Sequence, residues 1–99
     1  MIKRTREPRN ANFKEARMDE SLKNELLKAI QLAQSNDWDG AHQIVQEYHH
    51  PIACWIHAVL HKIEGDEENS RYWYRRCDAS FEDFSNTNEE FNAIVEFLN

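Results

Sequence analysis

Two glycines and two prolines in 99 residues leave this chain little material for tight turns. Hairpin and sandwich domains use those residues at nearly every reversal, because the turn types they need require unusual backbone angles. Long helices joined by short polar links remain, and the apolar residues recur at helical spacing. Apolar side chains make up 40% of the residues, enough for one modest core in one domain of this length.

The stripes place five helices. Leu22, Leu26, Leu27, Ala29, Ile30 and Ala33 line the first, over 20–34, with Asp19 or Ser21 able to cap it. Trp38, Ala41, Ile44, Val45 and Tyr48 line the second, over 38–48, behind an Asp37 cap. The third follows His49-His50, with Pro51 as first helical residue and Gly65 in the left-handed position past its end. Its stripe of Ile52, Ile56, Val59, Leu60 and Ile63, widened by Trp55, Ala53 and Ala58, covers so much of its girth that a central place is expected. The fourth, over 67–77 behind Asp66, turns Ser70, Trp73, Tyr74 and Cys77 to one side and pairs Glu67 with Arg71. A loop carrying Phe81 and Phe84 on one helical turn leads to the fifth, with Phe91, Ile94, Val95 and Leu98 on its stripe. Thr87 and Glu90 have the spacing of a capping box. Trp55, Ile56, Leu60, Trp73, Leu26 and Ile44 are expected in the core. Residues 1–18 break the pattern and read as a poorly ordered basic lead-in, with 19–99 as the single helical domain.

The net charge is −6, unevenly spread: residues 1–17 hold six basic and two acidic side chains, residues 78–99 six acidic and none basic. Lys3, Arg4, Arg6 and Arg9 form a basic arm of the kind that grips polyanions, but the acidic body opposes a phosphate backbone, so nucleic acid is not the expected partner. The basic start has no apolar run behind it, so no secretory leader is expected, and no stretch approaches the roughly 20 apolar residues of a membrane span. Cys54 and Cys77 lack metal-type pair spacing and read as reduced thiols of a cytoplasmic protein.

An internal repeat is visible at an offset of 29 positions, with Asn36-Asp37 answered by Gly65-Asp66, Ala41 by Ser70, and Ile44, Val45 and Tyr48 by Trp73, Tyr74 and Cys77. In each unit a helix ends, a short polar turn follows, and a new helix begins with a small residue on its inner side. Segment 65–76, from Gly65-Asp66-Glu67-Glu68-Asn69-Ser70 to Tyr72-Trp73-Tyr74-Arg75-Arg76, resembles the middle of a tetratricopeptide repeat, although the period is short of the usual 34 residues. The resemblance spans about residues 20–78 and implies packed helical hairpins. Asp37-Trp38-Asp39-Gly40-Ala41-His42, Trp55-Ile56-His57-Ala58-Val59-Leu60-His61 and segment 65–76 together resemble a family of short uncharacterised bacterial helical proteins, which implies a cytoplasmic helical protein and no particular chemistry.

Five histidines are many for this length. His57 and His61 are four apart and share a helix face, with Glu64 near the same line. Chain reversal at His49-His50-Pro51 should bring His42 level with His57. Three imidazoles and a carboxylate suit Zn, Ni or Fe. The opposing reading makes these histidines packing residues at the core's border, and His49 and His50 turn or capping residues. Tyr72, Arg75 and Arg76 are candidates for gripping a protein partner, since Tyr and Arg dominate binding hot spots; otherwise the Arg stems cover apolar surface. Neither a nucleophile context for Ser or Cys nor a glycine-rich phosphate loop is present.

The expected architecture is all-α: two antiparallel, tetratricopeptide-like helical hairpins closed by a C-terminal capping helix. Two such units bury few faces between them, so a homodimer is expected. A non-enzymatic interaction or scaffold module is the leading functional expectation. A small metal-binding protein or metalloenzyme using His42, His57, His61 and Glu64 is the first alternative, and a polyanion binder through the arm the second.

Overall fold

The computed structural model describes residues 18–99. The arm residues Lys3, Arg4, Arg6 and Arg9 lie outside them. The fold is all-α, with helices α1 (Glu20–Gln34), α2 (Trp38–Val45), α3 (Pro51–Glu64), α4 (Glu67–Tyr74) and α5 (Thr87–Leu98), and a 3₁₀ turn at Phe81–Asp83. Among the described residues there is no strand, and no helix is long and apolar enough to cross a membrane.

The 29-residue repeat has a backbone cause. After α1, Asn36 turns left-handed (φ 68°), its N–H donates to Ala33 O, and the Asp37 N–H reaches back to Leu32 O at 2.8 Å. After α3, Gly65 does the same (φ 84°), with its N–H on Lys62 O and the Asp66 N–H on His61 O at 3.0 Å. Both are Schellman ends, which satisfy carbonyls the helix leaves open. In both, the next residue is an aspartate that caps the following helix: Asp37 accepts from Gly40 N at 3.0 Å and Asp66 from Asn69 N at 3.2 Å. One residue thus ends one helix and starts another, and α1 packs chiefly on α2 as α3 does on α4. A Cβ on Gly40 would lie 2.6 Å from the Asp37 carboxylate as it is placed here, whereas the equivalent position of the second unit holds Asn69.

α2 and α4 each stop three residues before the expected ends at Tyr48 and Cys77. Glu47 and Tyr48, like Arg76 and Cys77, donate to the carbonyl three residues back instead of four, so the last turn tightens to 3₁₀ while the apolar spacing runs on. At α5 the expected Thr87 capping box is not formed. Asn86 caps the helix, accepting from Glu89 N at 2.9 Å, and Glu90 is fully buried elsewhere.

α3 is central and packs against the other four helices. Ile52, Ile56, Val59 and Leu60 meet Leu26 and Ile30 of α1, Ala41 and Val45 of α2, and Phe91, Ile94 and Leu98 of α5 in one core. Met18, Ile44 and Trp55 pack against it partly buried, and Trp73 is half-buried. Ile63, placed on the stripe by spacing, is exposed one residue before the end of α3. The small residues of the repeat, Ala41 and Ser70, are fully buried, and Ser70 Oγ donates to Ala58 O at 2.7 Å. That bond clamps α4 onto α3 at the level of His57.

Candidate functional site

α2 contributes His42 and α3 contributes His57 and His61 to one cluster. The Asp37 cap starts α2 so that Trp38 and His42 share its face toward α3, and Trp38 Nε1 donates to Leu60 O at 2.6 Å. The reversal through His50, whose Nδ1 accepts from Ile52 N at 3.0 Å, returns the chain with His57 level with His42. The ring centroids lie 4.6 Å apart for His42 and His57, 5.4 Å for His42 and His61, and 5.0 Å for His57 and His61. One ring nitrogen from each converges within 4.8 Å of the others.

Two tryptophans wall the cluster. Trp38 stacks on His42 at 4.8 Å and Trp73 on His57 at 3.9 Å, each nearly parallel. Trp38 also meets His61 edge-on at 5.6 Å. The apolar walls disfavour charge on the rings. Burial above all, then electrostatic interaction with the His42 and His61 rings, holds the His57 imidazolium pKa down at about 3. Burial and His61 also lower that of His42, partly offset by Glu64 and Asp39. Both rings are therefore neutral at neutral pH, the form that ligates metal.

The hydrogen bonds separate this cluster from ordinary packing histidines, which bond a backbone or carboxylate partner when buried. Among the described residues, no nitrogen of His42 or His57 has a protein hydrogen-bond partner, although His57 is only 4% exposed. These nitrogens are not sealed from solvent. His61 differs: its Nδ1 lies 2.5 Å from Glu64 Oε1. Glu64 thus joins the set through His61, and the group that converges is the three histidines. Asp66 lies near His61 and Glu64 on the exposed side, a neighbour that spacing did not suggest.

The remaining candidates divide. Tyr72 and Arg76 do point away together, with the Arg76 guanidinium 5.0 Å above the Tyr72 ring and 5.6 Å from Trp73. Arg75 and Arg76 are exposed and make no ion pair with any described residue, whereas Arg71 is held by Glu67 and Glu82. His49 is exposed in the turn, and His50 is the cap of α3.

A second polar centre has no counterpart among the expected sites. Glu90 is fully buried and accepts from Lys62 Nζ at 2.9 Å, Trp55 Nε1 at 2.8 Å and Tyr74 Oη at 2.6 Å. Lys62 also donates to Phe84 O at 3.0 Å. Burial first, then the bond to Glu90, raises the Tyr74 pKa, keeping the phenol a neutral donor. Every polar group is matched and the centre is closed, so it joins α3, α4 and α5 rather than receiving a ligand. The available signal was Glu90 itself, four residues before Ile94 on an otherwise apolar stripe.

Comparison of the chain with protein families, curated proteins and solved structures found no match.

Proposed function

We propose that the protein binds a divalent transition metal through His42, His57 and His61. The observation that carries this is the convergence of three ring nitrogens within 4.8 Å, from two helices, with His42 and His57 lacking any protein hydrogen bond. Tetrahedral ligation at about 2.0–2.1 Å places nitrogens about 3.4 Å apart. His42 is the ring free to close that gap, since it is half-buried and tethered by stacking alone. Glu64 on His61 Nδ1 supplies the carboxylate–histidine support that orients a metal-binding ring. An all-imidazole set favours Zn, with Ni and Fe as competitors.

Titration of chelator-stripped protein with Zn against a chromophoric competitor tests this. One ion per chain is expected, lost in His57→Ala/His61→Ala and in the rim variant His42→Ala while the helical circular dichroism spectrum persists. Wild-type protein that takes up no stoichiometric metal overturns the reading.

A second reading, the non-enzymatic interaction module, is favoured by the exposed Tyr72 with Arg76 over its ring, and by Arg75 on the same helix end, two guanidinium groups that no described carboxylate occupies. Such a surface fits an acidic peptide. Fluorescence anisotropy with a labelled poly-Glu peptide should show binding that Arg75→Ala/Arg76→Ala abolishes. Equal binding by that variant removes this reading.

A further inference from the structure

Resting on the metal-site reading, we propose that the bound ion keeps an open fourth position that takes a small monoanion. The site is then a Lewis-acid centre with an exchangeable ligand and not a closed structural site.

The donors near the cluster are limited. Structural zinc sites close with four protein ligands, whereas sites with three keep a solvent molecule in the fourth place. Here three nitrogens converge, and among the described residues each neighbouring donor is committed or too remote to join all three. Glu64 is engaged by His61 Nδ1. Asp66 groups with His61 and Glu64 and not with His42 and His57. Cys54 Sγ is turned to the His49 carbonyl at 3.9 Å and Cys77 Sγ to the Tyr74 carbonyl at 3.4 Å. Trp38 and Trp73 cover ring faces and offer no lone pair.

Charge selects the ligand. Three neutral imidazoles bring no negative charge, so a divalent ion among these aromatic walls retains its full charge. Among the described residues, compensation comes from Glu64, through His61, and from Asp39 on the His42 side. A cation so placed lowers the pKa of its bound water toward about 7 and favours anions over neutral ligands. The unpartnered nitrogens of His42 and His57 are not sealed from solvent, so a path for exchange exists. In the exchange the metal–water bond breaks, a metal–anion bond forms, and the water leaves; no electron moves.

Cobalt(II) in place of zinc makes this visible, and azide is the probe. The full-length chain loaded with one Co(II) should show the intense visible bands of four-coordinate cobalt. Azide should shift those bands and saturate at one azide per cobalt. Acetonitrile, a neutral linear nitrogen donor, should leave the bands unmoved at the same concentration. Bands that azide does not move overturn the open position and leave metal binding standing. Acetonitrile that moves the bands as readily as azide refutes the charge argument. A chain that takes up no cobalt overturns the metal site and this inference together.

Discussion

His57 makes the protein acid-sensitive by an amount that can be worked out. In the folded state its ring is neutral down to a pKa of about 3, while in the unfolded chain it titrates at its ordinary 6.5. Between those values the unfolded state binds a proton that the folded state refuses, so stability falls as pH drops from 6.5 toward 3 and is flat above 6.5. Each unit is worth about 1.36 kcal/mol, so lowering the pH from 7 to 5 should cost the metal-free protein about 2 kcal/mol through this one ring. The assay is urea unfolding in chelator at both pH values, for wild type and His57→Gln. The variant cannot titrate there, so its loss should be smaller by about 2 kcal/mol, and the double difference isolates the ring from the carboxylates that titrate in both proteins. Equal losses would mean that His57 protonates freely in the folded state, and the account of its burial by Trp73, His42 and His61 would be wrong.

Leu60 is fully buried at the crossing of α3 with its neighbours, so Leu60→Ala should cost ~2–5 kcal/mol in urea unfolding, and a loss below about 1 kcal/mol would contradict its enclosure. Glu90→Ala strands the Lys62 ammonium and two further donors, and should cost about 3–5 kcal/mol, with much of it recovered in Lys62→Met/Glu90→Leu. Sedimentation at micromolar concentration should give a mass near twice 11.8 kDa, and a monomer at every concentration would count against association.

What could be read in the sequence was local. Asp19, Asp37 and Asp66 as caps, Pro51 at a helix start and Gly65 past a helix end each follow from chemistry within three or four residues. The histidine cluster needed one further step. The i, i+4 spacing sets His57 beside His61, and a reversal of known position sets His42 opposite them. Helix ends were misplaced at Tyr48 and Cys77 because a 3₁₀ turn keeps an apolar residue near the stripe after the four-residue bonding has stopped. The Glu90 centre was not legible because Tyr74, Lys62 and Trp55 are 16, 28 and 35 positions away. Spacing alone offered Glu90 a capping role beside Thr87, and only packing shows that Asn86 fills it.

Whether the three histidines serve stability or binding can be decided by removing one of them. A packing histidine contributes through its contacts, so replacing it should destabilise. At His57 the favourable contact is the stack on Trp73 at 3.9 Å, worth about 0.5–1.5 kcal/mol beyond area burial. Against it stands a polar ring, 4% exposed and without a protein hydrogen bond, whose loss of most of its water costs at most about 1–3 kcal/mol. The two ranges overlap, so His57→Leu, of similar bulk, should leave the metal-free protein within about 1 kcal/mol of wild type. Zn should set wild type clearly above the variant. At a hundredfold excess over its dissociation constant it adds about 2.7 kcal/mol to wild type and nothing to a variant that has lost the site. Urea unfolding of both proteins, with chelator and with Zn, reads the four values. If His57→Leu is destabilised by more than about 1 kcal/mol in chelator and Zn changes neither protein, the imidazole is held for its packing. Near-equal stability in chelator, with a gain for wild type alone on adding Zn, instead requires that the ring be kept for the ion it binds.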